Sequence, residues 1–247
     1  MIDLHCHILP CIDDGSSSLD ESLKMIDNAI KCGISDIIVT PHYIEDSKYN
    51  VDTIKRNEIL EELKGYVKNE NINLYIGNEV YFKKNVSSLL GSVSTLNNSR
   101  YILIEFPVNF MPNNIFNELH ELIIKDYKII IAHPERYTFF QDDIHLMEKF
   151  IDKGILFQGN VGSLFGTYSK SAKKALKKMI KYNLIHFLAS DSHKEDDKKF
   201  YYFTKLNKVL KKSVIEELTY TNPNLVIENK DIVIKKYKKR RFGIKKI

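Results

Sequence analysis

Cysteine is scarce in this chain of 247 residues: Cys6, Cys11 and Cys32 are odd in number, and none has the spacing of a zinc knuckle. That excludes a disulfide scaffold or a structural zinc module and fits a reducing compartment. No apolar run approaches the ~20 residues that a membrane helix needs, and the opening residues lack a basic stretch leading into an apolar one. A cytoplasmic protein without leader or spanning segment is therefore expected. Internal repeats, low-complexity segments and a convincing interdomain linker are also missing. Acids, finally, are missing from the C-terminal end, where Lys235, Lys236, Lys238, Lys239, Arg240, Arg241, Lys245 and Lys246 stand without one. Removing those eight charges from the net +5 leaves residues 1–234 at −3. The basic pI belongs to a tail, and no nucleic-acid partner is expected of the body. The expected organisation is one domain over residues 1–234 and a basic tail over 235–247.

A hydrophobic share of 43% is enough for a sizeable core. Seven short apolar runs read as strands: MIDLH, DIIVT (36–40), INLYIG (72–77), YILIEF (101–106), KIIIAH (128–133), ILFQGN (155–160) and IHFLAS (185–190). Helical patterns alternate with them at 19–31, behind a Ser18 start and before a Gly33 stop, and at 51–67, 112–126, 142–153 and 168–182. Strand–helix units with nearly continuous apolar strands predict a parallel sheet covered by helices, and seven units in one domain favour an α/β barrel over a doubly wound sheet.

The opening run MIDLHCHILPCIDDG is the densest polar stretch. Alternation predicts Ile2, Leu4 and Cys6 on one strand face and Asp3, His5 and His7 on the other, with the strand emptying into a turn at Asp13, Asp14 and Gly15. The pattern recurs. His42 in TPHY, Glu79 in GNEVYF, Glu105 in IEFP, His133 in AHPERY, and Asp191 with His193 in SDSH all stand where an apolar run ends. In a parallel barrel such ends share the C-terminal rim, where active sites form. Taken singly, each is as well read as a helix cap or a satisfied core group. Together, buried and uncompensated, they would cost several kcal/mol per ion. Metal ions compensate such charge, and His, Asp and Glu without a cysteine set suit manganese, iron or zinc. His120, His145 and His186 fall elsewhere and read as helix, helix and strand residues.

These motifs, in this order, resemble the polymerase and histidinol phosphatase (PHP) superfamily. Within it, the chain resembles the bacterial manganese-dependent protein-tyrosine phosphatases of capsule and exopolysaccharide biosynthesis. GNVGSLFG at 159–166 and the following AKKALKKMIKYNLIHFLASDSH sharpen the likeness, which covers about residues 1–227. The resemblance implies a distorted seven-stranded barrel with three divalent cations at the C-terminal rim, manganese first among the candidates. His5, His7, Glu79 and Asp191 would hold one ion, and Glu79, Glu105 and His133 the second. Asp14, His42 and His193 would hold the third. Arg136 would grip the phosphoryl oxygens, the plainer reading being a surface arginine paired with Glu135. Cys11 stands where the family usually has glycine; a small packed thiol is expected there, with coordination or oxidation as the alternatives.

Phosphate-monoester hydrolysis suits such a centre, since clustered metals acidify water and offset phosphoryl charge. A cysteine-dependent phosphatase is excluded, because Ile12, Ser17 and Ile38 occupy the positions six beyond each cysteine where its arginine would stand. Histidinol-phosphate phosphatase is the nearest enzymatic alternative. A non-catalytic or nucleic-acid-binding PHP module is the alternative of another class. The resemblance implies, as partner, the phosphotyrosine tail of a membrane-associated bacterial tyrosine kinase. The basic tail would allow peripheral contact with the inner face of the membrane.

Overall fold

In the computed structural model, which describes residues 1–238, each of the seven apolar runs contains a parallel strand. β1 (Ile2–Cys6) pairs with β2 (Asp36–Val39), and β2 with β4 (Asn73–Ile76). A second sheet runs β3 (His42–Tyr43), β5 (Glu79–Tyr81), β6 (Tyr101–Glu105), β7 (Lys128–Ala132), β8 (Leu156–Asn160) and β9 (Phe187–Ala189). There are thus nine strands among the described residues, where seven were expected. The two additional ones, β3 and β5, follow β2 and β4 after breaks of two residues each. Pro41 has no N–H to give a ladder and lies in the first break. Gly77 lies in the second, where a Cβ would stand 2.7 Å from Leu96 Cδ2. Hydrogen bonds bridge the breaks, from Gly77 N to Val39 O (2.8 Å) and from Glu79 N to Pro41 O (3.2 Å). Beyond β9, Asp191 N donates to His5 O and His7 N to Ser192 O, both at 2.9 Å, so the last strand among the described residues lies beside the first.

Alternation along the strands separates two cores. Ile102, Ile104, Ile129, Ile131, Phe157 and Leu188 pack into the larger one, with the buried residues of the helices. Tyr101, Leu103, Ile130, Ala132, Leu156, Phe187 and Ala189 form the smaller one. The same rows continue toward the strand C-termini as Glu105, Gln158, Asn160 and Asp191. Within each row, then, apolar residues give way to polar ones at that end. Leu96 and Val226, from outside the strands, join the smaller core. β1 departs from simple alternation, because a register shift falls between Asp3 and Cys6. Leu4 packs in the smaller core and Cys6 in the larger, although period-two reading put them on one face.

α1 (Leu19–Lys31) begins as expected, with Ser18 accepting from Glu21 N at its N-cap. It is followed by α2 (Thr53–Tyr66), α3 (Ile115–Ile124), α4 (Thr138–Asp142), α5 (Leu146–Ile151) and α6 (Lys170–Lys181). The helix expected over 142–153 is the shorter α5, starting only after Asp143, and α4 just ahead of it was not expected. Past β9 come α7 (Lys199–Phe203), α8 (Lys212–Glu216), a π-helical turn at Glu217–Thr221 and α9 (Asn222–Ile227).

The first residues of the expected tail run along the body. Lys238 N donates to Tyr182 O (2.9 Å), Asn183 Nδ2 to Lys236 O (3.3 Å) and Tyr237 OH to Asp152 (3.2 Å), while Lys235 pairs with Glu217. Tyr237 and Ile234 pack against the larger core. The charge run thus has an apolar anchor that a count of lysines missed. Residues 239–247 lie outside the described residues.

Candidate metal centre

The loop after β1 doubles back because of Gly15: a Cβ there would lie 2.2 Å from His7 O and 2.6 Å from His7 Cβ. That contact brings Asp13 and Asp14 beside the strand end. Asp13 Oδ2 lies 2.7 Å from His7 Nδ1 and accepts from His42 N at 2.9 Å, while its Oδ1 accepts from Gly15 N at 2.9 Å. Burial opposes its ionisation, but His7 and these donors hold the carboxyl well below its ordinary value.

All nine residues expected to ligate metal meet at one end of the strands. His5 Nε2 and His7 Nε2 are 3.1 Å apart, with Glu79 Oε2 at 3.2 and 3.3 Å and Asp191 Oδ1 at 3.6 Å from both. The other Glu79 oxygen faces His133 Nε2 at 2.9 Å, and Glu105 Oε1 is 3.6 Å from that nitrogen. Asp14 Oδ1 lies 3.5 Å from His42 Nε2 and 3.6 Å from His193 Nε2. His42 also turns Nδ1 toward Glu79 Oε2 (3.1 Å), so it borders two groups. His133 and Asp191 adopt positive φ (31° and 52°), a strain tolerated where function holds it.

The tautomers favour a cation. His7 Nδ1 faces the acceptor Asp13, and His5 Nδ1 faces Gln158 Oε1 at 2.8 Å. With protons on both Nδ1 atoms, the two Nε2 lone pairs point at each other among carboxylates. Only a proton or a cation makes that arrangement favourable, and outer acceptors of this kind are how metal-binding imidazoles are oriented. Burial works against charging His7, yet Asp13 and Glu79 beside it raise its pKa well above the ordinary value. Glu105 is pushed up to about 9 by burial and by the Glu79 charge. The carboxylates thus compete for positive charge, and the donor set of imidazoles and carboxylates fits divalent cations.

Arg136 Nη1 is 3.4 Å from Asp191 Oδ2, and its guanidinium lies 5.0 Å from the Tyr168 ring centroid. It is not a surface partner of Glu135. That carboxylate is fully buried and accepts from Asn160 N (2.9 Å) and Ser163 Oγ (2.7 Å). Cys11 is exposed rather than packed: its backbone is left-handed (φ 58°), which suits the glycine expected there, and its thiol donates to Ser17 O at 3.0 Å. It belongs to none of the clusters that could hold metal. His120 lies on α3, His145 pairs with Glu148, and His186 precedes β9, all apart from this centre.

Sequence reading missed the groups behind the ligands. Gln158 Nε2 donates to Asn160 Oδ1 (2.9 Å), and Asn160 Nδ2 donates to Asp191 Oδ2 (2.5 Å). Tyr168 OH donates to the same oxygen at 2.9 Å, and Lys199 Nζ reaches Asp191 O. Asn160 ends β8, so the strand-end rule pointed at it, but a search for titratable groups passed over an amide. Asp13 stood beside Asp14 in the quoted turn.

Residues 1–228 match the family described as "Capsular polysaccharide synthesis, CpsB/CapC". CapC of Staphylococcus aureus is 34% identical over 255 residues, covering 99% of this chain and all of its own. The tyrosine-protein phosphatase YwqE of Bacillus subtilis is 34% identical over 239 residues, covering 94% of this chain and 93% of its own. One solved structure, from work on YwqE and Streptococcus pneumoniae CpsB as metal-dependent tyrosine phosphatases, superposes with a TM-score of 0.87 at 31% identity. It covers 97% of this chain and 100% of that one. An amidohydrolase from Mycoplasma synoviae shares the fold at a TM-score of 0.60 and 14% identity, covering 92% of this chain and 87% of its own. On the match over residues 1–228, the chain belongs to the CpsB/CapC family of capsular polysaccharide synthesis.

Proposed function

We propose that this chain is a metal-dependent protein-tyrosine phosphatase acting on phosphotyrosine of a bacterial tyrosine kinase that controls capsular or extracellular polysaccharide synthesis. The carrying observation is Glu79, whose two carboxylate oxygens face different groups: Oε2 faces His5 and His7, and Oε1 faces His133. That is the geometry of a bridging ligand. His5, His7, Glu79 and Asp191 would hold one ion; Glu79, Glu105 and His133 a second; Asp14, His42 and His193 a third. Manganese is the first candidate, with iron or zinc as alternatives. Bound there, such ions supply acidified water and neutralise charge on phosphoryl oxygens.

The chain's own residues do the rest. Arg136, 28% exposed and held at Nη1 by Asp191, would grip phosphoryl oxygens in the bidentate arrangement that guanidinium geometry favours. Tyr168 and Asn160 fix Asp191 through its Oδ2, leaving Oδ1 turned to the histidines. The backbone bonds of β9 back to β1 support a closed ring. In it β2 with β3, and β4 with β5, each count as one broken position, which makes seven. Residues 239–246 carry five further cations, and we retain the reading that they draw the enzyme to anionic lipid near a membrane-associated kinase. No helix among the described residues is long and apolar enough to cross a membrane.

The test is hydrolysis of a phosphotyrosine peptide beside histidinol phosphate, with and without chelator. Chelation should abolish peptide turnover and manganese restore it. Preference for histidinol phosphate would give the site to the other PHP reaction, and undiminished turnover by metal-free protein would reject the mechanism. A ligand set complete in one place speaks against a non-catalytic or nucleic-acid-binding module.

A further inference from the structure

Where β5 and β6 run out, a groove of about 400 Å³ opens, lined by Tyr81, Lys83, Lys84, Pro107, Phe110 and Pro112. Its walls are continuations of the strands that carry Glu79 and Glu105. Tyr81 pairs with Glu105 in the ladder, and Phe82 N donates to Glu105 O at 2.8 Å. The groove therefore borders the strand ends that carry Glu79 and Glu105, although no candidate metal ligand lines it. The loop forming its far wall is held in place: Thr138, two residues past Arg136, donates its N–H to Val108 O at 3.0 Å and its hydroxyl to Asn109 O at 3.2 Å. Yet this fixed loop presents Phe110 at 62% exposure, with Val108 and Met111 beside it more than a third exposed. Adjacent apolar side chains left in water on a fixed loop mark a contact surface.

Charge narrows the occupant. Lys83 is paired with Glu45, and the groove's one acid, Glu118, accepts from Asn85 N at 2.7 Å. Lys84 is exposed and enters no ion pair among the described residues. We propose that this groove seats the peptide residues next to the phosphotyrosine, an apolar side chain against Phe110 and an acidic one beside Lys84. The proposal rests on the phosphatase reading and gives it a substrate preference: an acidic, partly apolar flank.

The measurement is kcat/KM on p-nitrophenyl phosphate and on two phosphotyrosine peptides, one flanked by Leu and Glu and the other by Ser and Lys. Wild type, Phe110→Ser and Lys84→Glu are compared. The Leu/Glu peptide should be preferred by wild type and lose about tenfold in each variant, mostly through KM, the effect of ~1.4 kcal/mol of binding. Lys84→Glu should also narrow or invert the preference, and the small ester should stay within about twofold. Equal changes on ester and peptide, or a wild type indifferent to the flank, would overturn the groove assignment while leaving the phosphatase intact. A wild type inactive on every phosphotyrosine substrate would instead remove the underlying reading, and this one with it.

Discussion

Asp13 Oδ2 and His7 Nδ1 are 2.7 Å apart, and both side chains are buried. This pair sets which nitrogen of His7 faces the other ligands, and through the bond from His42 N it also fixes the backbone of a second imidazole. Asp13 is thus a positioning residue for two candidate ligands.

Asp13→Asn keeps the side chain's shape but replaces one acceptor with a donor and removes the charge. Loss of such an outer partner commonly weakens metal affinity about 10- to 100-fold. Metal titration of purified protein should show that weakening, with activity restored at high manganese. Unchanged metal affinity would leave Asp13 a loop-folding residue only.

On the proposed role, in which the guanidinium would act on the substrate and not as a ligand, Arg136→Ala should retain full metal content and lose on the order of 100-fold in kcat. Glu79→Ala and His42→Ala should instead lose metal. Elemental analysis beside steady-state kinetics separates the two outcomes. Full activity in Arg136→Ala would remove it from the site.

Truncation after Lys238 should leave small-ester hydrolysis and Tm unchanged while reducing sedimentation with acidic liposomes, an effect that weakens as salt rises. Truncation after Ile234 should in addition lower Tm, since it removes the Tyr237 and Lys238 contacts to Asp152 and Tyr182. Equal sedimentation of full-length and shortened proteins at low salt would show that the tail is no tether.

His186 offers a pH test remote from the metals. Burial depresses its pKa from 6.5 to about 4, and its Nδ1 accepts from Phe157 N at 3.1 Å. A base depressed in the folded state contributes stability above the unfolded pKa that is lost as pH falls through the folded one. The decline should therefore lie between pH 6.5 and 4, on the order of 3 kcal/mol at full extent. His186→Gln should flatten that part of the curve of urea midpoint against pH; parallel curves would show that other groups govern the acid transition.

The sequence by itself determined the strand–helix alternation and the rim position of the candidate ligands other than Asp14, which the loop closed at Gly15 brings there. Period-two burial and the change from apolar to polar at a strand's end are local signals, and they survive in β6 to β9 as Leu103 to Glu105 or Ala189 to Asp191. Only the tertiary structure decided what depends on approach between distant segments. It put the bulge in β1 and split two strands at Pro41 and Gly77. It assigned Gln158, Asn160 and Tyr168 as supports of ligands over 20 residues or more of intervening chain. It seated Tyr237 against the body, where a linear count of charges had left a free tail. Those outcomes turn on pairwise geometry, such as a missing N–H, a Cβ without room or an amide facing a carboxylate, which residue type and spacing do not encode.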